Sequence, residues 1–295
     1  MSKPFKAVKH ETLVPFDGRF KIRQARTKPA KDGPDKAVRE ALLNKLTAEM
    51  AELQHTLYAA NSHSLLLVFQ AMDAAGKDST VRGVLSGLDP AGCQVTSFKA
   101  PSAGELDHDF LWRTTLALPQ RGRIGVFNRS YYEEVLVVRV HPEFLGRQNL
   151  PNMPKDMDKF WEHRLQSIRD HEKHLARNGT VIVKFWLNVS REVQRERFLS
   201  RLEEPEKNWK FNVADVAERA HWDAYMDAYE QALRATSRPH APWYAIPADS
   251  KSNMQLQVAE IIVKTLKALK LEYPAVAEAE KARFAEMKKL LLSEK

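Results

Sequence analysis

The chain has 295 residues, of which 43% are hydrophobic, so it is long enough to bury one substantial core. Lys and Arg number 46 against 38 Asp and Glu, and the resulting net charge of +8 favours polyanionic partners such as nucleic acid or phosphorylated compounds. There is no apolar run that could span a membrane and no secretory leader, and the single Cys93 excludes a disulfide framework and a cysteine-based zinc site, so we expect a cytoplasmic protein.

Alternating apolar runs and amphipathic segments predict the elements in chain order. The extension 1–35 is polar and contains several prolines, and we expect it to drape over the surface with little regular structure. Short apolar runs predict strands at 64–70, 94–98, 123–128, 180–188 and 243–247. Apolar residues at helical spacing predict helices at 36–60, 77–88, 102–118, 131–140, 155–177, 190–202, 215–235 and 252–271. A polar connection is expected at 142–154, and a charged helix beyond Pro274.

Strands that alternate with helices predict an α/β fold, a three-layer sandwich whose parallel central sheet is covered on both faces. We divide the chain into an extension (1–35), a principal domain (36–272) and a helical tail (273–295). The polar segment 203–212 interrupts the pattern, and with the residues up to 222 it is expected to form a lid. The charged tail could pack on another subunit, so we expect a homo-oligomer, either a dimer or a tetramer.

A polar turn that contains Gly76 and Lys77 follows the first buried strand and opens a helix. In this setting backbone N–H groups and a helix N-terminus bind phosphate, and a lysine reaches its terminal oxygens. The match to G-x-x-x-x-G-K-[ST] is partial, because Ala71 and Asp78 replace the first glycine and the hydroxyl residue. A simple strand-ending turn is the alternative. The residues expected to bind phosphate here are Ala74, Ala75, Gly76, Lys77, Asp78, Ser79 and Arg82.

Asp73 lies inside this turn, where a carboxylate beside phosphate is costly unless a cation lies between them. We therefore interpret Asp73 as a Mg²⁺ ligand, with a turn-stabilising role as the alternative.

A second polar cluster follows the strand 123–128, at the same edge of the predicted sheet. There Arg129 could neutralise a phosphoryl group in transfer, and Glu133 could share the metal with Asp73. The alternative for Arg129 is a surface salt bridge, and the alternative for Glu133 is a solvated helix face. The strand ends in Asn128 instead of aspartate, which argues against a Walker B motif.

The expected lid carries lysines beside aromatic residues, a composition that could exclude water and surround phosphates with cations. Lys207 and Lys210 are the candidates. The alternative is an amphipathic helix in which Trp209 and Phe211 anchor the core. Three arginines precede the lid on one helix, namely Arg195, Arg197 and Arg201. We select Arg201 as a phosphate contact because it is nearest to the lid.

Six stretches of the sequence resemble the family-2 polyphosphate kinases. They read AMDAAGKDST, TSFKAPSAGELDHDFLWR, FNRSYYEEVLVVRVHPEFL, KNWKF, ERAHWDAYMDAYE and APWYAIPAD. The similarity runs through roughly residues 35–272 and is far more specific than the phosphate turn alone. It implies a P-loop kinase-like core with a helical lid, related in shape to thymidylate kinases. It also implies transfer between polyphosphate and nucleoside phosphates that depends on Mg²⁺, with Mn²⁺ as an alternative ion.

The resemblance also implies roles for individual residues. Lys77 and Arg129 would contact the transferred phosphoryl group, Asp73 would bind the metal, and lid Lys210 would approach the phosphates. The residues expected to bind the nucleotide are Lys99, Pro101, Glu105, Asp109, Arg113 and Asn128. The alternative for the stretch 99–113 is a helix that packs its aromatic residues into the core. Because the nucleotide phosphate is itself a nucleophile, we expect catalysis to rest on positioning and charge neutralisation.

The string FNRSYYE at 127–133 bears on the acceptor. Family subclasses restricted to diphosphates or to monophosphates typically have FDRSWYN, whereas Asn128 and Glu133 resemble the third subclass, which accepts both AMP and ADP. The expected partners are inorganic polyphosphate and adenine nucleotides, with guanine nucleotides as an alternative, and neither a membrane nor a specific nucleic acid. Three other functions stay open: an ATP-dependent small-molecule kinase, a non-catalytic polyanion- or nucleic-acid-binding protein, and a nucleotide-switched regulatory protein.

Overall fold

The computed structural model describes residues 5–153 and 155–294, and its centre is one parallel β-sheet. The strands are β1 (Ser64–Gln70), β2 (Cys93–Ser97), β3 (Ile124–Asn128), β4 (Thr180–Asn188) and β5 (Trp243–Pro247). Strands β1 and β5 are buried at every position, as their continuous apolar sequences require in a sheet covered on both faces. The predicted α/β class with a parallel sheet is confirmed, and all five strands lie within one residue of their predicted bounds.

Helices connect the strands and form the outer layers of the fold. They are α1 (Lys36–Ala60), α2 (Lys77–Val84), α3 (Ala103–Leu106), α4 (Trp112–Thr115), α5 (Val137–Val140), α6 (Met157–Arg177), α7 (Arg191–Glu203), α8 (Val213–Ala217), α9 (Trp222–Thr236), α10 (Lys251–Ala268) and α11 (Glu278–Ser293). Helix α1 packs against α10, and α6 packs against α9. In the parts of the chain that the structure describes, no helix has the length and apolar character needed to cross a bilayer.

The strand order β2-β3-β1-β4-β5 determines where polar residues meet. The chain leaves the central strand β1 toward one side, through β2 and β3, and then crosses to the other side for β4 and β5. In the register of the sheet, Phe69 pairs with Asn128, and Asn128 also pairs with Ser97. The carboxyl ends of β1, β2 and β3 therefore lie side by side, at the kind of edge where ligands bind in open α/β sheets.

The predicted helix 102–118 is two separate turns, α3 and α4. Its predicted capping box is present, because Ser102 N donates to Glu105 Oε2 at 2.7 Å and Glu105 N donates to Ser102 Oγ at 3.3 Å. The break follows because Asp109 Oδ1 accepts from the backbone N–H of Leu111 at 2.9 Å and starts a new turn. Short polar side chains compete in this way with helix continuation.

Three other predicted helices also differ in extent. Helix α2 ends at Val84 instead of Leu88, before Gly87 with its positive φ of 88°. The segment 131–140 is a 3₁₀ turn (Tyr131–Val135) followed by α5, because Ser130 Oγ caps the turn and the backbone breaks at Leu136. The segment 215–235 is divided into α8, a 3₁₀ turn (Glu218–His221) and α9.

The segment 5–27 pairs with the edge strand β5 through residues 12–14. Val14 N donates to Trp243 O at 2.9 Å, and Ala245 N donates to Thr12 O at 2.8 Å. Little of this segment is regular, as expected, but Thr12 and Val14 are buried and Val14 belongs to the hydrophobic core, so this part is not a loose surface extension. The division of the chain into extension, principal domain and tail stays a prediction. At the other end, α11 is exposed along its whole length.

Candidate functional site

The turn between β1 and α2 has the backbone geometry of an anion cradle. Gly76 adopts a φ of 107°, and a Cβ atom there would lie 3.0 Å from Met254 Cε, so a side chain is disfavoured both by strain and by space. Ala74 also has a positive φ, of 58°, which costs an L-residue about 1–2 kcal/mol. Strain retained at a non-glycine residue such as Ala74 is typical of a ligand-binding loop. The hydroxyl groups of Ser79 and Thr80 both donate to Gly76 O at 2.9 Å.

Lys77 lies beneath this turn with its ammonium group held by the turn's backbone. Its Nζ donates to Ala71 O at 2.7 Å, and the side chain is largely buried. Burial lowers the pKa of Lys77, and the nearby carboxylate of Asp73 opposes that effect. The charge is thus positioned before any ligand arrives, so no reorganisation is needed when an anion binds.

Arg129 lies between the two carboxylates that were predicted to share a metal. Its guanidinium donates to Asp73 Oδ1 at 2.8 Å and lies 3.7 Å from Glu133 Oε2. Those two carboxylates, Glu133 foremost, raise the pKa of Arg129 despite its burial, so the side chain stays charged. The backbone is again strained, with a φ of 64°, and Arg129 N donates to Phe69 O at 3.0 Å. The fold therefore brings the three residues from two strand ends into direct contact.

A cavity of about 500 Å³ opens above the turn, and we call it the basic cavity. Its polar and charged lining comprises Asp73, Lys77, Asp78, Ser79, Ser97, Lys99, Asn128, Arg129, Arg197, Ser200, Arg201, Lys207, Lys210 and Lys251, with Ala74, Ala75 and Gly76 at the turn. Of the residues predicted to bind phosphate, Arg82 alone does not line it, because that side chain lies on an exposed face of α2. An excess of cations around a concave surface favours a polyanionic ligand.

A second cavity, of about 240 Å³, adjoins the first, and we call it the adjoining cleft. Five of the predicted nucleotide residues line it, namely Lys99, Pro101, Glu105, Asp109 and Arg113. Asn128 does not; it lines the basic cavity and donates to Asp78 Oδ1 at 2.6 Å. The inner wall is apolar and includes Val137, Val138 and Phe144, which the sequence did not single out. Lys99, Ala100 and Arg129 line both cavities, so the two spaces meet at Arg129.

The predicted lid crosses the basic cavity as a 3₁₀ turn (Pro205–Lys210) followed by α8. Lys207 and Lys210 both line the cavity, and Arg201 donates to Lys210 O at 3.2 Å. Trp209 is 78% exposed, so it is not the core anchor that the alternative interpretation required. Lys210 Nζ lies 4.9 Å from the centre of the Trp209 ring, within the range of a cation–π contact.

Arg197, which the sequence left undecided, supports the turn directly. Its guanidinium donates to Ala75 O at 2.7 Å and to Ala74 O at 3.1 Å, and its other nitrogen donates to Ala248 O at 2.7 Å. The carbonyl groups of the turn are thereby directed toward Arg197. Helical spacing would have found this residue, because Arg197 and Arg201 lie four apart and so share one face of α7. Lys251, at the start of α10, also lines the cavity and had no sequence signal.

Behind the segment that carries Arg129 lies a fully buried polar network. Lys184 Nζ on β4 is 2.6 Å from Glu172 Oε2 on α6. Glu172 Oε1 accepts from the hydroxyl groups of Tyr131 at 3.0 Å and Tyr132 at 2.8 Å. Burial lowers the pKa of Lys184 to about 8, although Glu172 opposes the shift. The network ties the residues that follow Arg129 to the sheet and to α6.

Asp73 and Glu133 are the candidate metal ligands. Among residues 5–153 and 155–294, no group of three or more His, Cys, Asp or Glu side chains is arranged to hold a metal ion. Mg²⁺ commonly binds through one or two protein carboxylates, with substrate phosphates and water as its other ligands. Two carboxylates at the junction of the cavities fit that pattern, because substrate oxygens would complete the coordination.

The comparisons with known proteins agree on one family. The family model described as Polyphosphate kinase 2 (PPK2) matches residues 33–274. An ADP-polyphosphate phosphotransferase from Rhodopseudomonas palustris is 56% identical over 251 residues, which cover 85% of this chain and 87% of that protein. An AMP/ADP-polyphosphate phosphotransferase from Meiothermus ruber is 43% identical over 260 residues, covering 88% and 92%. The crystal structure of polyphosphate kinase 2 from Arthrobacter aurescens TC1 superposes with a TM-score of 0.85 at 35% identity, covering 99% of this chain and 100% of that one.

Proposed function

The chain belongs to the polyphosphate kinase 2 family, and on that premise we propose that it transfers phosphoryl groups from inorganic polyphosphate to nucleoside mono- and diphosphates. Family membership favours this activity over the three alternatives that the sequence left open. The proposal includes both AMP and ADP as acceptors. The relative from Rhodopseudomonas palustris is named for ADP, and the relative from Meiothermus ruber is named for both AMP and ADP.

The single observation that carries the proposal is the meeting of two cavities at Arg129. One space is lined mainly by cationic side chains, as a polyphosphate chain requires, and the other has an apolar wall against which a nucleobase can pack. Donor and acceptor would therefore enter from two sides. Their reacting phosphates would meet where Lys77 and Arg129 lie.

In the proposed reaction an oxygen of the nucleotide's terminal phosphate attacks the terminal phosphorus of the polyphosphate. The new P–O bond forms as the bridging P–O bond of the polymer breaks, so the chain leaves one unit shorter. Lys77 and Arg129 would neutralise the charge that the transferred group carries, and Lys210 would approach from the lid. The protein's own contribution is positioning and fixed positive charge. Polyphosphate beyond the reacting unit would bind along Arg201, Lys207 and the phosphate turn.

We propose Asp73 and Glu133 as the ligands of a divalent ion, Mg²⁺ or alternatively Mn²⁺. When bound, such an ion supplies neutralisation of phosphate charge. The two carboxylates also hold Arg129 in place, as the ion pairs show. We further propose that the enzyme is cytoplasmic and assembles as a homodimer or homotetramer, for which the exposed α11 offers a contact surface.

The test incubates the purified protein with Mg²⁺ and long-chain polyphosphate, with AMP in one reaction and ADP in another, and follows nucleotides by chromatography. ATP formed from ADP, and ADP followed by ATP formed from AMP, would support the full proposal. ATP from ADP alone would retain the chemistry and remove AMP as an acceptor. Phosphorylation of neither nucleotide would refute the use of polyphosphate, and ATP with small-molecule acceptors would be tested next.

A further inference from the structure

Two neighbouring residues at the base of the lid contact opposite sides of the site. We define the lid base as the 3₁₀ turn Glu218–His221, which joins α8 to α9. Arg219 points toward the phosphate turn, and Glu218 points toward the adjoining cleft. One peptide bond separates them, so the two contacts share one short stretch of backbone.

The contact toward the phosphate turn runs through the buried side chain of Gln194 on α7. Gln194 Nε2 donates to Asp73 O at 2.8 Å, and its Oε1 accepts a hydrogen bond from the guanidinium of Arg219. Because a carbonyl only accepts and a guanidinium only donates, these partners fix the orientation of the amide. Gln194 is 1% exposed, so losing either partner would leave a buried polar group unsatisfied. Asp73, the candidate metal ligand, is thereby linked to the lid base.

The contact toward the adjoining cleft runs through His141. Glu218 Oε2 accepts from the Tyr225 hydroxyl at 2.7 Å and lies 2.9 Å from His141 Nε2. The imidazole stacks on Phe144 with ring centres 5.4 Å apart, and Phe144 lines the cleft. The other charged or titratable groups that face His141 are Glu143 and His221.

The lid is held at both of its ends. Near its start, Arg201 on α7 donates to Lys210 O, Lys207 Nζ donates to Ser200 Oγ at 2.9 Å, and Asn208 Nδ2 donates to Arg201 O at 2.7 Å. The contacts of Glu218 and Arg219 hold its other end against His141 and Gln194. Ligand-induced shifts of Phe144 or Asp73 would reach the lid lysines by this path.

We propose that Gln194, Arg219, Glu218 and His141 form a positioning relay that couples occupancy of the adjoining cleft to placement of the lid over the basic cavity. The inference rests on the proposed function, because it assigns the nucleotide to the cleft and polyphosphate to the cavity. Coupling between sites is reciprocal, so nucleotide should tighten polyphosphate binding by the same factor as polyphosphate tightens nucleotide binding. We expect a factor of about 5 or more in the wild type.

The kinetic test measures initial rates over a grid of ADP and polyphosphate concentrations and extracts the factor by which each substrate changes the apparent KM of the other. Gln194→Glu keeps the acceptor for Arg219 but loses the donor to Asp73 O. Arg219→Met and His141→Asn break one side each. All three variants should reduce the coupling factor to about 1. Arg195→Met is the matched control, because it removes one positive charge from the exposed face of the same helix and should keep the wild-type factor.

Hydrogen exchange measured by mass spectrometry over residues 203–217 supplies a readout that does not need turnover. Adding ADP alone should slow exchange in the wild type and in Arg195→Met, and should leave exchange unchanged in the three relay variants. Variants that lower kcat yet keep the wild-type coupling factor and the ADP-dependent protection would overturn the relay. So would a wild type without either response. A wild type that shows ADP-dependent protection but no phosphoryl transfer would refute the proposed function and retain the relay.

Discussion

The buried pair of Lys184 and Glu172 allows a stability prediction that can be worked out from the contacts. The ammonium and carboxylate groups are 2.6 Å apart, and neither side chain is more than 1% exposed. Replacing Lys184 with methionine leaves the carboxylate buried beside two tyrosine hydroxyl groups and without its counter-ion. Breaking a buried ion pair in this way typically costs about 3–5 kcal/mol.

The matching change in melting temperature follows from the size of the chain. At about 2.1 cal/mol/K of unfolding entropy per residue, a domain of this length has an unfolding entropy near 0.6 kcal/mol/K, so Lys184→Met should lower Tm by about 5–8 °C. Urea unfolding followed by circular dichroism, with a thermal scan beside it, would measure both quantities. Wild type and variant should be compared at one protein concentration, because any assembly would add to the apparent stability.

A double variant separates the charge from the packing. Glu172→Gln keeps an acceptor for Tyr131 and Tyr132 while removing the negative charge. Adding this change to Lys184→Met should therefore restore at least half of the lost stability, because no buried charge is left without a partner. If Lys184→Met unfolds within about 1 kcal/mol of the wild type, or if the double variant is less stable than either single one, the reasoning from buried charge is refuted.

Three further predictions concern the site. Lys77→Met should lower kcat for ADP phosphorylation by about 10²–10³, because a fixed cation at the transferred group is lost, and a near-normal kcat would exclude the assigned role. Asp73→Asn should raise the Mg²⁺ concentration for half-maximal rate by at least about tenfold, and an unchanged metal titration would remove Asp73 as a ligand. Burial lowers the pKa of His141, but hydrogen bonds to Glu218 and Glu143 outweigh that effect and raise the pKa overall. The protonated imidazole therefore stabilises the fold fully below the ordinary pKa of 6.5, and this stabilisation is lost as pH rises through the folded-state pKa. The stability difference between wild type and His141→Asn should therefore shrink as pH rises from below 6.5 through the folded-state pKa, and a pH-independent difference would contradict this account.

The parts of the fold that follow from local sequence were predictable. The continuous apolar runs that form β1 and β4 are typical of strands in a sheet that is covered on both faces. Gly76 and Lys77, directly after such a run, predicted a turn between β1 and α2 with a proposed role in anion binding. The parallel arrangement then placed Asn128 and Arg129 beside that turn, because strand ends of one sheet share an edge.

The parts that depend on tertiary contacts were not predictable. Helical spacing between 102 and 118 did not reveal that Asp109 would cap a new turn. An aspartate side chain can either face solvent or accept from a nearby backbone N–H, here that of Leu111. The direction of Arg197 depends on the carbonyl groups of two loops that sequence alone does not bring together. The partner of Asn128 likewise comes from a different element, at Asp78.

The pairing of residues 12–14 with β5 has a consequence for the order of folding during synthesis. Thr12 and Val14 leave the ribosome long before Trp243 and Ala245, which carry their hydrogen-bond partners. Contacts so distant in sequence form slowly because a long loop must close first. Until β5 is synthesised, β4 is therefore the outer edge of the sheet, and pairing of residues 12–14 with the outer edge of β5 is one of the last steps of folding.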